Sequence, residues 1–482
     1  MTMTPNTIRS RRTSGRFRSA LATTAVGLAL LGGCAVSSEA ASHDGATADG
    51  TTESAATISV IDDGAAERDA VTTEVDLFDS SLVHTITVDF DEADYDAMIE
   101  TFTSTGDKEW ISATVTLDGM TYDNVGLRLK GNSSLFGLTA ATSGDPEDLP
   151  WLIRLNEFVE GADHQGYEEI VIRSNSTETA MNEAVAQELL ALTGLASQRP
   201  IATSFTVNGA DTELRLAVEH PDEEWYDDNF DDEDGLLYKA DSDGDYSYRG
   251  DDAEAYTDVF DQKVGDDDMQ PLIDFLEFID NADDATFAAE LSDRLDVDGF
   301  ATYLAFQDLI GNADDINGRG NNSYLQYDTT TDQFTVVSWD LNLAFGTANV
   351  GRTAGAAGDT GAAPGARPAG GGGGRPAGPP PGAAGDAPTG GLGGMPAGDP
   401  QAGGPGDQPN VLVDRFLADE EFAALYSSKT DQLTELLFSS GTVDIVIASW
   451  ADVLIEGAAD LVSEATVTAD AAAIIGYVDG VR

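Results

Sequence analysis

FTVVSWDLNLAFG, residues 334–346, sets a carboxylate where a hydrophobic run ends. Phe334, Thr335, Val336 and Val337 read as a short strand, apolar and β-branched. The strand runs out at Trp339 and Asp340, and apolar residues resume at Leu341, Leu343, Ala344 and Phe345 before Gly346. An uncompensated charge in a low-dielectric interior is very costly. Asp340 therefore needs a metal, a cation or several hydrogen-bond donors opposite it, and the neighbouring sequence narrows the choice.

Upstream, SYLQYDTTTDQFTVVSWD reads as a hairpin that carries the chain back to GNADDINGRGNNS, residues 311–323. Asn312, Asp314, Asp315, Asn317, Asn321 and Asn322 crowd this loop. Oxygen ligands of this kind suit Mg2+ or Ca2+, and a carboxylate there can orient or deprotonate a hydroxyl. Asn and Gly equally make ordinary turns. Because the hairpin folds its two ends together, Asp314 and Asn322 can share one metal with Asp340. Protein kinases use the same order: a catalytic Asp, an Asn, a hairpin, then a metal-binding Asp before Phe-Gly. Here Phe345 and Gly346 follow Asp340, but the chain has no His-Arg-Asp triplet and no GxGxxG near its start.

Two further stretches carry charge in a pattern. In GLRLKGNSS, residues 126–134, Arg128 and Lys130 alternate onto one face of a strand that ends in a donor-rich turn. This suits an anionic group such as phosphate; pairing with some of the many acids is the alternative. In DSDGDYSYRGDDAEAYTD, Asp241, Asp243, Asp245, Asp251 and Asp252 could cage Ca2+, although no Glu closes a twelve-residue loop of the EF-hand kind. A solvated acidic loop accounts for them equally. His43, His84, His164 and His220 are scattered without zinc spacing, and there is no GxSxG hydrolase signature.

The chain has 482 residues, 87 acidic against 24 basic, for a formal net charge of −63. Nucleic-acid phosphates would be repelled, which excludes nucleic acid as a partner. With 41% hydrophobic residues and five Trp, the chain can still bury a core. The single cysteine, Cys34, permits no intramolecular disulfide. It follows an arginine-rich start and a short apolar stretch, an export signal too short to span a membrane ordinarily. Leu31-Gly32-Gly33-Cys34 resembles a bacterial lipobox, which implies cleavage before Cys34, lipid on its sulfur, and anchoring on the outer face of the cell membrane. An ordinary cleaved signal with a chance cysteine is the alternative. Residues 35–74 are small, polar and acidic, a flexible tether.

Further on, VHTITVDF alternates as a strand and DEADYDAMIETF is an acid-capped helix. A hairpin turns at Asp118-Gly119, PWLIRLNEF and EEIVIRSN are strands, and residues 181–194 form a helix stopped by Gly194. A second hairpin turns at Asn208-Gly209. The second half turns helical, at MQPLIDFLEFIDNA, DATFAAELSDRL and VDGFATYLAFQDLIG. Residues 351–408 are Gly-, Pro- and Ala-rich without an aromatic, a low-complexity insert. The helices after it need a partner for their apolar faces and pack back onto the domain; a separate small helical module is the alternative.

VGLRLKGNSS, GNADDINGRGNNSYLQYD and VVSWDLNLAFG, in this order, resemble the spore-coat protein H (CotH) kinase family. Weaker echoes occur at FTVNGADTELRLAVEH, at residues 235–263, at VDGFATYLAFQDLIGN and at VDRFLADEEFAALY. The resemblance covers roughly 77–350 and 409–482. It implies an atypical protein-kinase-like fold that uses ATP and Mg2+ or Mn2+ to phosphorylate Ser or Thr of an extracytoplasmic protein. By this resemblance Asp314 is the catalytic Asp, with Asp315 a substitute, and Asn322 and Asp340 are metal ligands. Arg128 or Lys130 touches the nucleotide phosphates, with Arg154 a rival, and Glu183 orients that cation. The family often has a second acid where this chain has Asn342.

The expected architecture is α+β, with an antiparallel, sheet-rich N-terminal part and a helical C-terminal part. Residues 1–34 are the signal, 75–350 the kinase-like domain, and 409–482 the helices that complete it. The expected function is a membrane-anchored protein kinase. The alternatives are a non-catalytic envelope, spore-coat or adhesion protein on a kinase-derived scaffold, and a calcium-dependent surface binder using the 241–252 acids.

Overall fold

The computed structural model describes residues 75–131, 133–135, 138–139, 143–241, 245–318, 322–347 and 410–482. The expectations for the signal and Cys34, the tether, the 351–408 insert, Asp243 and Asn321 lie outside these residues. The described residues fall within one compact unit, Thr72–Arg482.

Seven strands form the first layer: β1 (Val83–Phe90), β2 (Ile111–Leu117), β3 (Met120–Leu129), β4 (Trp151–Arg154), β5 (Glu169–Ile172), β6 (Pro200–Val207) and β7 (Glu213–Glu219). Helix α1 (Glu92–Thr105) follows β1, and α2 (Met181–Ala191) joins β5 to β6. Alternation is clearest in β2, where Ile111, Ala113, Val115 and Leu117 are buried and the residues between them are not. The hairpins form where Asp118 and Asn208 take left-handed φ of 45° and 48°, each followed by glycine.

The sheet does not stay open. Its order is β1-β2-β3-β4-β5-β7-β6, and a parallel pairing of β1 with β6, from Val83↔Ala202 to Val88↔Val207, closes it into a barrel. The expected antiparallel arrangement holds for the other pairs of this sheet and fails at this parallel one. The closing pair joins strands more than a hundred residues apart in sequence, so no local pattern announces it. Closure leaves no edge strand exposed. Val115, Leu127, Trp151, Ile153, Ile172 and Phe205 fill the interior.

The second half begins with α3 (Glu223–Asn229) and alternates strands and helices: β8 (Leu236–Ala240), β9 (Phe260–Val264), α4 (Gln270–Asn281), α5 (Asp284–Glu290), α6 (Val297–Ile310), β10 (Ser323–Asp328) and β11 (Gln333–Ser338). The strands make a fully antiparallel sheet in the order β11-β10-β8-β9. Strands β8 and β9 were not expected: each is five residues long, set among acidic runs, and without alternation. The tail adds α7 (Val411–Ala418), α8 (Glu420–Leu433), α9 (Thr442–Gly457) and α10 (Glu464–Val481).

The second sheet has two buried faces. Leu236, Tyr238, Leu325, Phe334 and Val336 pack with α4, α6 and α7. Leu237, Tyr324, Val337 and Trp339 face the outer wall of the barrel, where Leu152, Val171, Leu216 and Val218 join a core shared with α2, α9 and α10. Helix α6 is apolar nearly all round because it is buried on both sides. Asp296 caps its start and Gly311, at φ 66°, ends it. Among the described residues no single helix is long and apolar enough to cross a membrane.

Candidate active site

The site lies between the outer wall of the barrel and the second sheet. Register places it. Leu127, Leu129 and Ile153 point into the barrel, so Arg128, Lys130 and Arg154 point out of it. Arg154 stands opposite Glu169 on β5, and Arg173 continues that strand's outward series. Lys239 on β8 and Lys263 on β9 approach from the second sheet. Six basic residues (Arg128, Lys130, Arg154, Arg173, Lys239 and Lys263) thus converge, in a chain with only 24 against 87 acids. Aromatic faces carry several of them. Lys130 Nζ lies 5.2 Å and the Arg173 guanidinium 5.7 Å from the Trp339 ring centre, Lys239 Nζ 5.4 Å from that of Tyr324. Arg128 stacks on Trp110 at 4.6 Å, and its buried Nε has no hydrogen-bond partner.

The partner Asp340 requires is a cation. Arg173 Nη2 binds Asp340 Oδ1, and its Nε lies 2.9 Å from Glu183 Oε1. Glu183 sits in the first turn of α2, where the helix dipole favours a carboxylate, and is buried. Burial pushes its carboxyl up to about 7 against the pull of Arg173, with Asp340 adding to the rise. One guanidinium therefore serves two carboxylates, and the trio carries a net negative charge only above about pH 7. Asp340 adopts φ 56°, a left-handed conformation that Asp and Asn take more readily than other side-chain-bearing residues and that also marks the hairpin turns at Asp118 and Asn208. Its segment is clamped by Ser176 Oγ, in the loop before α2, and by Asn182 Nδ2, in the first turn of α2, which donate to the Asn342 carbonyl at 2.8 and 2.6 Å.

So Glu183 orients neither Arg128, Lys130 nor Arg154, the cations expected from sequence, but Arg173. The signal for Arg173 was available: EEIVIRSN, like VVSWD, is an apolar strand that ends in a charge. Arg154 instead binds Glu169 and Glu157. Lys130 Nζ donates to His220 Nε2 at 2.8 Å, and His220 Nδ1 donates to Glu169. Burial and the Lys130 ammonium hold His220 down to about 4 against the pull of Glu169. Burial opposes ionisation of Glu169, but His220 and then Arg154 outweigh it and hold the carboxyl down to about 2.

This row has a pH consequence. His220 binds its proton less readily folded than unfolded, so its contribution is full above pH 6.5 and is lost as pH falls through about 4. His220→Gln removes that dependence. The stability gap between the two proteins should narrow by about 2–3 kcal/mol between pH 7 and pH 4, read from urea midpoints. Parallel curves for the two proteins would refute this neutral, buried assignment.

Asp314 and Asp315 part company. Asp314 is half-buried, and its Oδ2 accepts from Asn322 Nδ2 at 3.1 Å. Asp315 is buried and closes a turn by accepting from Asn317 N at 2.9 Å. The loop is held from both sides: Asn312 Nδ2 donates to Gln307, whose Nε2 donates to Ser338 Oγ at 3.0 Å, and Asn410 Nδ2 donates to the Ile316 carbonyl at 3.2 Å. The loop is thereby tied to the end of β11, close to Asp340.

At the Arg154 end a cavity of about 210 Å³ opens between Arg154, Asn156 and Glu169 on the barrel and Asp222, Glu224 and Lys263 opposite. Burial and crowding by other acids raise Asp222 to about 8 and Glu224 to about 7. Among the acids proposed for Ca2+, Asp245 accepts from Ser247 N and pairs with Arg249, Asp251 binds the Tyr248 hydroxyl, and Asp252 accepts from Glu254 N. No group of three His, Cys, Asp or Glu among the described residues could hold a metal. That does not disqualify Mg2+, which usually takes one or two carboxylates and completes its shell with water and substrate phosphate. Asp340, Asp314 and Asn322 supply such oxygen donors.

The described residues form an α+β domain whose cleft gathers basic side chains beside acids at strand ends. The chain belongs to the CotH kinase protein family, whose model matches residues 127–460, from β3 through α9. No curated protein matches the chain.

Proposed function

We propose that the protein transfers the γ-phosphoryl group of ATP to a Ser or Thr hydroxyl of a cell-surface protein, from a position anchored through Cys34 outside the cell membrane. The kinase-like character of the family supports the reaction type. The observation that carries the reading is the cleft: six basic side chains gather beside Asp314, Asn322 and Asp340, so a phosphate chain and its divalent ion would each find complementary groups there.

Triphosphate oxygens would lie against Arg173 and Lys130, with the nucleoside in the cavity beside Arg154, where a protonated Asp222 can donate a hydrogen bond. Asp314 orients the acceptor hydroxyl and takes its proton as the oxygen attacks the γ-phosphorus. The bond from that phosphorus to the β,γ-bridging oxygen breaks, and its electron pair leaves on ADP. Asp340 and Asn322 would hold the divalent ion, which neutralises phosphate charge when bound. Arg173, fixed by Glu183, keeps Asp340 aimed into the cleft.

The test is incubation of the purified chain with labelled ATP, Mg2+ or Mn2+ and a protein acceptor, alongside thermal melting with metal-ATP. Transfer together with stabilisation is expected. Neither transfer nor stabilisation would overturn the reading in favour of a non-catalytic scaffold.

A further inference from the structure

The mechanism leaves Arg128, Lys239 and Lys263 of the cleft without a role, and Lys239 is the one nearest the reacting acids. Lys239 sits on β8, paired in register with Tyr324 of β10, which in turn pairs with Val337 of β11. Tyr324 lies two residues beyond Asn322, and Asp340 follows the end of β11. Three neighbouring strands therefore bring Lys239, the Asp314–Asn322 pair and Asp340 to one edge of the second sheet. The side chain points to the barrel, over the Tyr324 ring, which packs edge-on against Trp339 at 5.8 Å.

Lys239 Nζ donates to the neighbouring Ala240 carbonyl, and its charged company sets it apart from Arg128, Lys130, Arg154 and Arg173. Asp340 and Asp314 are both among its strongest electrostatic neighbours, with Asp241 and Lys263. Arg128, Lys130 and Arg154 have neither acid among theirs, and Arg173 has Asp340 alone. A phosphoryl group passing from nucleotide to acceptor must travel between the acid that orients the acceptor and the acid that faces the nucleotide. Lys239 stands beside both.

We infer that Lys239 is a catalytic residue whose ammonium group contacts the non-bridging oxygens of the γ-phosphoryl group during transfer, a contact made from the second sheet rather than from the barrel. The inference rests on the phosphotransfer reading above. The charge of a transferring phosphoryl spreads over its equatorial oxygens, and a compact ammonium with three donors follows them without a fixed approach. No lysine lies in the described part of the loop after Asp314, so the strand supplies what the loop does not.

The experiment compares the wild-type protein with Lys239→Met and Lys239→Arg. Label transfer gives kcat and KM, and thermal shift gives affinities for Mg-ATP and Mg-ADP separately. Lys239→Met should lower kcat by about 100-fold or more while KM for ATP moves by less than about threefold. It should weaken Mg-ATP binding relative to Mg-ADP, because ADP lacks the group Lys239 meets. Lys239→Arg should recover at least about tenfold of the lost kcat. Equal weakening of both nucleotides, a kcat near wild type, or an arginine variant no better than methionine would each overturn the inference and leave the phosphotransfer reading standing. A wild-type chain that transfers no label overturns both.

Discussion

Arg173→Met should destabilise the protein by about 3–5 kcal/mol at pH 8, the cost of leaving a buried charge without its partner. The guanidinium is enclosed between Glu183 and Asp340, so methionine fills similar space and removes only the charge and its hydrogen bonds. The two carboxylates fare differently. Asp340 keeps 24% side-chain exposure and can turn to water, whereas Glu183 keeps 3%. Glu183 escapes by taking up a proton, and this sets the pH dependence. Its carboxyl already stands at about 7 in the intact site, above the unfolded value, so its contribution declines as pH rises to that point. Without Arg173 its pKa rises further, and the decline continues past pH 7. The cost of the substitution should therefore be level from pH 5 to pH 7 and larger at pH 8, by up to about 1.4 kcal/mol. The double variant Arg173→Met, Glu183→Gln should recover most of it, since a neutral pair need not be compensated. Urea unfolding at the three pH values measures this. A pH-independent cost, or no recovery in the double variant, would show that packing rather than charge makes the pair matter.

Asp314→Asn should lower kcat by about 10²–10⁴-fold, the range a positioned general base contributes, while metal-ATP still protects the protein from thermal unfolding. The amide keeps the size of the side chain and its contact with Asn322, but cannot accept the hydroxyl proton. Asp340→Ala should do the opposite, losing metal-ATP protection together with transfer. Asp315→Asn tests the choice between neighbours. Asp315 is buried and spent on a turn, so its replacement should cost stability first. If Asp315→Asn abolishes transfer in a folded protein and Asp314→Asn does not, the two roles exchange.

Much of this arrangement is legible in local pattern. Alternation identifies β2 and the two hairpins, Asp118-Gly119 and Asn208-Gly209 mark their turns, and 3.6-residue periodicity identifies α4. These features depend on residues within a few positions of one another. The loop around Asp314 and the strand leading to Asp340 are legible for the same reason, since one hairpin joins them. Strands β8 and β9 are not, because LLYKA and FDQKV are each five residues long and show no alternation.

What local pattern cannot assign is partnership across the chain. Barrel closure depends on β1 meeting β6, and the identity of Glu183's cation depends on where β5 and α2 come to rest against β11. Arg128, Lys130, Arg154 and Arg173 are equivalent on paper: each is a cation on or next to a strand. Register and burial distinguish them, giving Arg173 to two acids, Lys130 to a histidine and Arg154 to Glu169. An ion pair forms between groups that folding brings within a few ångströms in a place water has left. Residue type and spacing along the chain are local, whereas that meeting is set by the packing of a barrel wall, a helix and a second sheet together.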